Sequence, residues 1–396
     1  MGHFDHLNVA FFTKAAIYPG SIGTFRYRFQ REGWTDGKGT LTVWVYENTS
    51  FELAKDVESQ TFPWTEEGVE QVKAWLEEKL AERGSQPYSI PYPAPKRNDM
   101  YWNDLNSRLK AEYGCKVYKL ALSSGCSCPN RDGTLDTRGC IFCDGAGAFA
   151  EAGAIPDQLA AARLRVAAKA GTDAKYIAYF QSFTNTYGDA DRLRALYQAA
   201  MAPEDVVILS IATRPDCLGP DILGLLEELN RIKPVWVELG LQTIHPESAR
   251  YLRRGYDLPV FDRAVKDLKA IGVTVIVHQI LGLPGETPEM MAETARYIGQ
   301  SGAEGIKFHL LHVLRNTDLA AEWQAGRVQT LELEEYISIL ELCLRNLPPE
   351  AVIHRLTGDG AKRDLLAPLW SGDKKRVLNA IHQAFLRDNL IQGSTL

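Results

Sequence analysis

A chain of 396 residues is long enough for one large α/β domain or two domains, and an apolar share of 45% is that of a globular protein with a sizeable core. A formal net charge of −6 argues against wholesale electrostatic binding to nucleic acid, although a local basic patch is compatible with it. No apolar run approaches the roughly 20 residues that span a bilayer, residues 1–14 lack the form of a signal peptide, and seven cysteines with three clustered suit a reducing, cytoplasmic compartment better than a disulfide framework.

Residues 1–86 read as a separate small α+β domain of unknown role. Phe25, Tyr27 and Phe29 alternate with Arg26, Arg28 and Gln30, as in a half-buried strand. The turn signal TDGKG at 35–39 and the β-branched, aromatic run LTVWVYE complete a hairpin. Val69, Val72, Leu76 and Leu80 then recur at helical spacing, between Thr65 as start and Gly84 as stop. Arg26 and Arg28 beside aromatics invite an RNA-binding reading. Residues 1–95 nevertheless carry 9 Lys and Arg against 13 Asp and Glu, so the solvated face of a strand is the expectation. Residues 87–97 form a Pro-rich linker, with four prolines in QPYSIPYPAPKR favouring an extended spacer.

Residues 98–396 alternate strand and helix. MYWNDLNSRLKAEYG reads as a helix, and KVYKLALSS as the first strand. Further strands are expected at 175–181, 205–213, 235–242, 273–283 and 305–313, with amphipathic helices between them and a last short strand at 351–356. Near-continuous apolar strands separated by such helices mean a parallel sheet. Six βα units in about 300 residues predict a partial (β/α)6 TIM-type barrel, whose active site lies on the loops at the C-terminal ends of the strands.

The unusual residues fall on that edge. The stretch 125–149, GCSCPNRDGTLDTRGCIFCDGAGAF, follows the first strand and brings Cys128, Cys140 and Cys143 together. Zinc normally takes four protein ligands. Three thiolates on a [4Fe–4S] cubane would leave one iron open to a small molecule. From the spacing alone a cluster, a zinc site and redox or structural thiols all stay open. Cys126 reads as an extra loop or buried thiol, Cys217 as a lining or core thiol, and Cys343 as core. LGLPGET (281–287) places Gly282 and Gly285 around Pro284 on the loop after the fifth strand, where glycines permit close approach to a planar ligand.

Taken together, SCPNRDGT…RGCIFC (127–143), YFQSFTNTY (179–187), TRPDCL (213–218), VELGLQT (237–243), HQILGLPGET (278–287), GIKFHLLHVLRNT (305–317), HRLTGDG (354–360) and PLW (368–370) make residues 99–393 resemble the radical S-adenosylmethionine (SAM) superfamily. The resemblance is to its YhcC-type members, which are similar to the catalytic core of Elongator's acetyltransferase-like subunit. It implies a [4Fe–4S] cluster on Cys128, Cys140 and Cys143. It implies that S-adenosylmethionine bound at the open iron is cleaved reductively to methionine and a 5′-deoxyadenosyl radical that takes a substrate hydrogen. A reductant such as flavodoxin or ferredoxin would supply the electron. The resemblance also puts Gln181 and Asn185 near the methionine moiety, Glu238 and Gln242 towards the ribose, the loop with Gly282 and Gly285 near adenine, and Arg214 on a carboxylate.

Lys307, His309 and His312 are the candidate catalytic residues. Lys307 and Arg315 are the basic candidates for an anionic substrate, and His354, Arg355 and Asp359 are further candidates for substrate contact. The C-x₁₁-C-x₂-C spacing is wider than the commonest superfamily spacing, and residues 1–95 lie outside the resemblance. The Elongator likeness points to tRNA, at a wobble uridine, as substrate. A small metabolite or a peptide, or a non-catalytic metal protein, are the competing readings. Neither a membrane partner nor a particular oligomeric state is implied.

Overall fold

The computed structural model describes residues 2–396 apart from 15–16, 23, 36–37, 48–50, 52–53, 55, 85–101, 146–152, 172 and 359–362. The expected linker at 87–97, the tail of the cysteine stretch and Asp359 lie outside the described residues. The chain divides into two compact units, Met1–Lys96 and Arg97–Leu396.

The first unit opens with α1 (Val9–Lys14) and continues through β1 (Ile17–Ile22), β2 (Phe25–Thr35), β3 (Lys38–Glu47), β4 (Glu58–Pro63) and α2 (Glu66–Arg83). Its four strands pair in sequence order as an antiparallel sheet. The predicted hairpin is β2–β3, and α2 covers one face. Phe25, Tyr27, Phe29, Leu41, Val43 and Val45 pack there against Val69, Val72, Leu76 and Leu80. Thr65 caps the helix by accepting the Gly68 amide at 3.1 Å. Arg28 lies on the other face with its guanidinium 4.4 Å from the centre of the Phe51 ring. Sequence reading missed β1 and β4. β4 buries one side chain, Phe62, among five exposed positions, so it carries no alternation to detect.

The second unit starts with α3 (Leu105–Tyr113), capped by Asp104 and closed by left-handed Gly114. There follow β5 (Val117–Leu122), α4 (Ile155–Val166), β6 (Lys175–Phe180), α5 (Ala190–Met201), β7 (Val206–Thr213), α6 (Pro220–Asn230), β8 (Val235–Gln242), α7 (Pro246–Tyr251), α8 (Leu258–Ala270), β9 (Thr274–Leu281), α9 (Pro288–Gln300) and β10 (Gly305–Leu310). The chain ends with β11 (Val313–Leu314), α10 (Asp318–Gln324), α11 (Leu333–Arg345), β12 (Val352–Arg355), β13 (Leu365–Ala367) and α12 (Lys374–Arg387). Seven strands form one parallel sheet in the order β12-β10-β9-β8-β7-β6-β5, leaving β5 and β12 as edges. This is the parallel half-barrel expected, six βα units and one further strand. The sixth predicted strand is shorter than expected. β10 stops at Leu310, and Val313 and Leu314 pair instead with β13.

Strand periodicity sorts the concave face into layers. Val117, Ile177, Ile208, Trp236, Ile276 and Val352 make an apolar floor with Leu105 and Leu109 of α3. Two residues further along, the inward positions turn polar: Lys119, Tyr179, Ser210, Glu238, His278 and Lys307. Two further still come Ala121, Gln181, Ala212, Gly240, Ile280 and His309, where three small side chains open the mouth. The alternate, convex positions pack against the helices in the main core, through residues such as Phe180, Ile211, Val237 and Phe308. Among the described residues no helix is long and apolar enough to cross a membrane.

Candidate functional site

The cysteine loop leaves β5 at the C-terminal mouth of the half-barrel. Cys128 closes a turn in which its carbonyl accepts the amides of Arg131 (2.8 Å) and Asp132 (3.2 Å). Cys140 and Cys143 share another, with the Cys143 amide on the Cys140 carbonyl at 3.0 Å. Ile141 lies between those two cysteines and is buried among Leu252, Ile280, Leu283 and Leu311. Its amide donates to the Leu252 carbonyl and its carbonyl accepts from Leu319, so the loop is tied both to the segment after α7 and to α10. The Asn130 side chain donates to the Arg253 carbonyl at 2.7 Å and to the Cys140 sulfur at 3.4 Å.

The remaining thiols lie outside this loop motif. Cys126 is buried and turned towards the Asn185 carbonyl (3.8 Å) and the Arg192 guanidinium (3.6 Å). Cys343 is fully buried on α11. Cys217 lies close enough to Cys128 to feel its charge, but burial, then Asp216, pushes its thiol up to about 12.

The thiols of the loop interact with one another. Burial, then the neighbouring Cys143, pushes the Cys140 thiol up to about 11, so the cysteines of the loop are electrostatic neighbours. Yet among the described residues no three His, Cys, Asp or Glu side chains converge tightly enough for a single metal ion. Thiolates on one tetrahedral zinc lie about 3.8 Å apart, as bonds of about 2.3 Å require. A cubane spreads its ligands more widely. Three neighbouring thiols on one loop suit a centre that leaves one iron for another ligand.

Around this mouth the structure sorts the candidates expected to meet S-adenosylmethionine. Gln181 and His309 belong to the open mouth layer. Gly282 (φ 89°) and Gly285 (φ 83°) both take left-handed conformations that favour glycine, and a Cβ on Gly285 would meet open space. Gln242 is left-handed as well (φ 71°), a strained state for a residue with a side chain, and its amide folds back over Gly240. Beside this loop the Thr243 hydroxyl donates to Glu286 at 2.6 Å, a pairing that sequence reading missed. Glutamate directly after Pro284 and Gly285 was the available signal.

Three of the expected cofactor neighbours are engaged by the chain's own groups. Asn185 is fully buried, and its amide braces three loops. It accepts from Ser124 at 2.6 Å and donates to the carbonyls of Phe180 (3.1 Å) and Ala212 (2.8 Å). Arg214 forms a bidentate pair, but with Asp216 (2.9 and 2.7 Å), which occupies the edge a cofactor carboxylate would use. Burial works against the Arg214 charge, and the Asp216 pair outweighs it.

Glu238 is the third. It lies one layer below the mouth and is fully buried. One oxygen accepts from Ser210 (2.8 Å) and Lys119 (3.4 Å), and the other from Lys307 and His278 (2.9 Å). Four donors fill the lone-pair positions of a carboxylate, so none is left for a ribose hydroxyl. Burial would raise its pKa, but the Lys119 and Lys307 ammonium groups hold it well below the usual carboxylate range.

Lys307 is likewise buried, donating also to the Tyr179 hydroxyl at 3.1 Å, so it offers no surface charge to an anionic substrate. Arg315 is exposed. His309 stacks 4.9 Å from His278, and its Nε2 is buried without a hydrogen-bond partner among the described residues. His312 lies beyond the end of β10 and packs over Gly358. His354 stacks against Trp236.

This layer carries a pH dependence. Burial lowers the His278 pKa to about 4 against the favourable Glu238 hydrogen bond. Between about 6.5 and 4 the unfolded chain therefore binds a proton here that the native state does not, and stability falls with pH through that window. From pH 7 to pH 5 the loss from His278 is about 2 kcal/mol. Urea midpoints at the two pH values should drop more for the wild type than for His278→Gln. Equal drops would sink the assignment.

A parallel half-barrel with a three-cysteine loop at its mouth defines an iron–sulfur radical enzyme fold, and the chain belongs to the radical SAM superfamily. The "Radical SAM superfamily" model matches residues 137–298, and the "Radical_SAM C-terminal domain" model matches residues 303–387. The chain is similar to YtqA of Bacillus subtilis, an uncharacterized protein, at 40% identity over 76% of this chain and 95% of that one. It is similar to YhcC of Escherichia coli at 38% identity over 75% of this chain and 95% of that one. A more distant relative is the tRNA uridine(34) acetyltransferase of Methanocaldococcus jannaschii, 28% identical over 39% of this chain and 28% of that one. Among solved structures, Elp3 of Methanocaldococcus infernus shares the fold at a TM-score of 0.54 and 18% identity, over 70% of this chain and 64% of that one. Membership of the superfamily brings with it a [4Fe–4S] cluster and S-adenosylmethionine as cofactors.

Proposed function

We propose that this chain is a radical SAM enzyme acting on tRNA at a wobble uridine, with Cys128, Cys140 and Cys143 as the cluster ligands. The observation that carries the chemistry is the isolated set of three thiols at the mouth, above a layer of small side chains and beside the glycine loop. When bound, the cluster and S-adenosylmethionine supply a radical able to remove a hydrogen atom from an unactivated C–H bond. The chain's own part is to hold and shield that centre. Ile141 and Asn130 fix the cysteine turns, Gly282 and Gly285 let backbone approach the cofactor's base, and Gln181, Gln242 and His309 face the mouth. Glu238 and Lys307 position the strands beneath without touching the reacting atoms.

The substrate is read from the similarity to the tRNA uridine(34) acetyltransferase, an argument by kinship. A one-electron donor of the flavodoxin or ferredoxin class would feed the cluster. None of the seven cysteines is paired in a disulfide, which supports a reducing, cytoplasmic location. The test is mass spectrometry of tRNA nucleosides from a strain lacking the gene. One modified uridine should disappear and return on complementation, and an unchanged nucleoside profile would refute the tRNA reading.

A further inference from the structure

We propose that a concavity behind the cysteine loop is a phosphate-binding subsite that takes a backbone phosphate of an RNA substrate. The choice of RNA rests on the functional reading above, whereas the phosphate chemistry stands on the side chains. The concavity, of about 550 Å³, is lined by Arg250, Arg253, Arg254, Tyr256 and Asp257 among others. Three arginines within five consecutive residues thus line one concavity, in a chain whose net charge is −6.

Their partners differ. Arg254 is 5% exposed and donates to three main-chain carbonyls, of Tyr256 (3.0 Å), Leu241 (3.2 Å) and Thr243 (2.7 Å). Carbonyls satisfy its donors without cancelling its charge, and at low local dielectric that charge projects further than it would in water. Arg253 is paired with Asp318 at 2.6 Å. Arg250 is exposed, and its Nε donates to the Pro246 carbonyl at 3.3 Å, leaving its outer fork to solvent. Asp257 stands in the lining itself, while Asp318, Asp136 and Glu322 face Arg253 from outside it, so the charge left open to a ligand is that of Arg250. The 13-residue α8 begins at this wall, and its N-cap, Asp257, makes no side-chain capping bond. The positive end of that helix adds to the same field.

The concavity shares a wall with the cysteine loop. Arg253 is left-handed (φ 57°), which turns its carbonyl onto Asn130 and the Cys140 thiol (3.8 Å). An anion held by the arginines therefore adjoins the cluster loop. The volume exceeds that of a phosphate and leaves room for an attached sugar. An Arg fork matches phosphate oxygens bidentately, which suits a nucleic-acid backbone better than a point charge would.

The experiment measures binding of an unmodified tRNA transcript to the full-length, cluster-reconstituted protein across a salt series. Arg250→Gln alters an exposed side chain and should leave the melting temperature unchanged. It should weaken tRNA binding about tenfold and flatten the slope of log K against log salt by roughly 0.7–0.9, one phosphate contact. Arg231→Gln, at the C-terminal end of α6 and outside the concavity, serves as control and should change neither. If the wild type and Arg250→Gln bind tRNA alike, the subsite is overturned and the RNA reading stands. If the wild type does not bind tRNA, the RNA reading falls and pyrophosphate calorimetry decides the subsite. Pyrophosphate binding lost in Arg250→Gln keeps the subsite for a small phosphorylated substrate. Pyrophosphate binding that is absent, or equal in both proteins, overturns it.

Discussion

Replacing Cys143 with alanine is expected to lower the iron bound after anaerobic reconstitution from about four atoms per chain to below one, and to abolish reductive cleavage of S-adenosylmethionine. A cubane held by three thiolates is not expected to survive the loss of one. Cys126 is the nearest in sequence to Cys128, yet its sulfur is engaged with the Asn185 carbonyl and Arg192. Cys126→Ala should accordingly retain both iron and cleavage, which separates ligand loss from general damage to the loop. Iron analysis and the charge-transfer absorbance read the first outcome, and methionine release reads the second. Full iron content in Cys143→Ala would show that the cluster sits elsewhere.

The second large effect is expected at Glu238. Replacing it with leucine leaves the buried Lys307 ammonium without its counter-ion and strands the Ser210 and His278 donors. Breaking a buried pair from one side typically costs about 3–5 kcal/mol. Exchanging both partners for apolar residues of similar size removes the stranded charge, so Glu238→Leu with Lys307→Met should be more stable than Glu238→Leu alone. Chemical denaturation of the two proteins checks the order. If the double variant is no more stable than the single one, the pair is not coupled, and the layer is held together by its other bonds.

The parallel strands were legible in the sequence because each is a predominantly apolar run between amphipathic helices, as a sheet covered on its convex side by helices requires. The cysteine loop was legible because thiols, glycines and prolines have few reasons to gather after a strand. The inward positions were harder. Glu238, His278 and Lys307 each look like a lone polar residue in an apolar strand, a pattern that fits a ligand contact as well as an internal network. What decides is which four donors meet one carboxylate, and those donors come from β5, β7, β9 and β10. No local pattern carries that information. Asn185 is ambiguous for the same reason, since a polar residue in a motif loop can serve the cofactor or the loop. Helix α12 was within reach, with Val377, Ile381, Ala384 and Phe385 at helical spacing. The antiparallel β11–β13 pairing was not, because two- and three-residue strands have no period.

The four-stranded sheet of the first unit also governs self-association. Its outer strands are the places where another chain could add by main-chain pairing. β1 carries Pro19, which has no amide proton to give, and β4 presents Glu58, Ser59, Gln60 and Thr61 to solvent. Both borders are therefore poor templates for strand addition. The unit is protected against the edge-to-edge aggregation that threatens small open sheets, and a partner would have to meet it through side chains on a face.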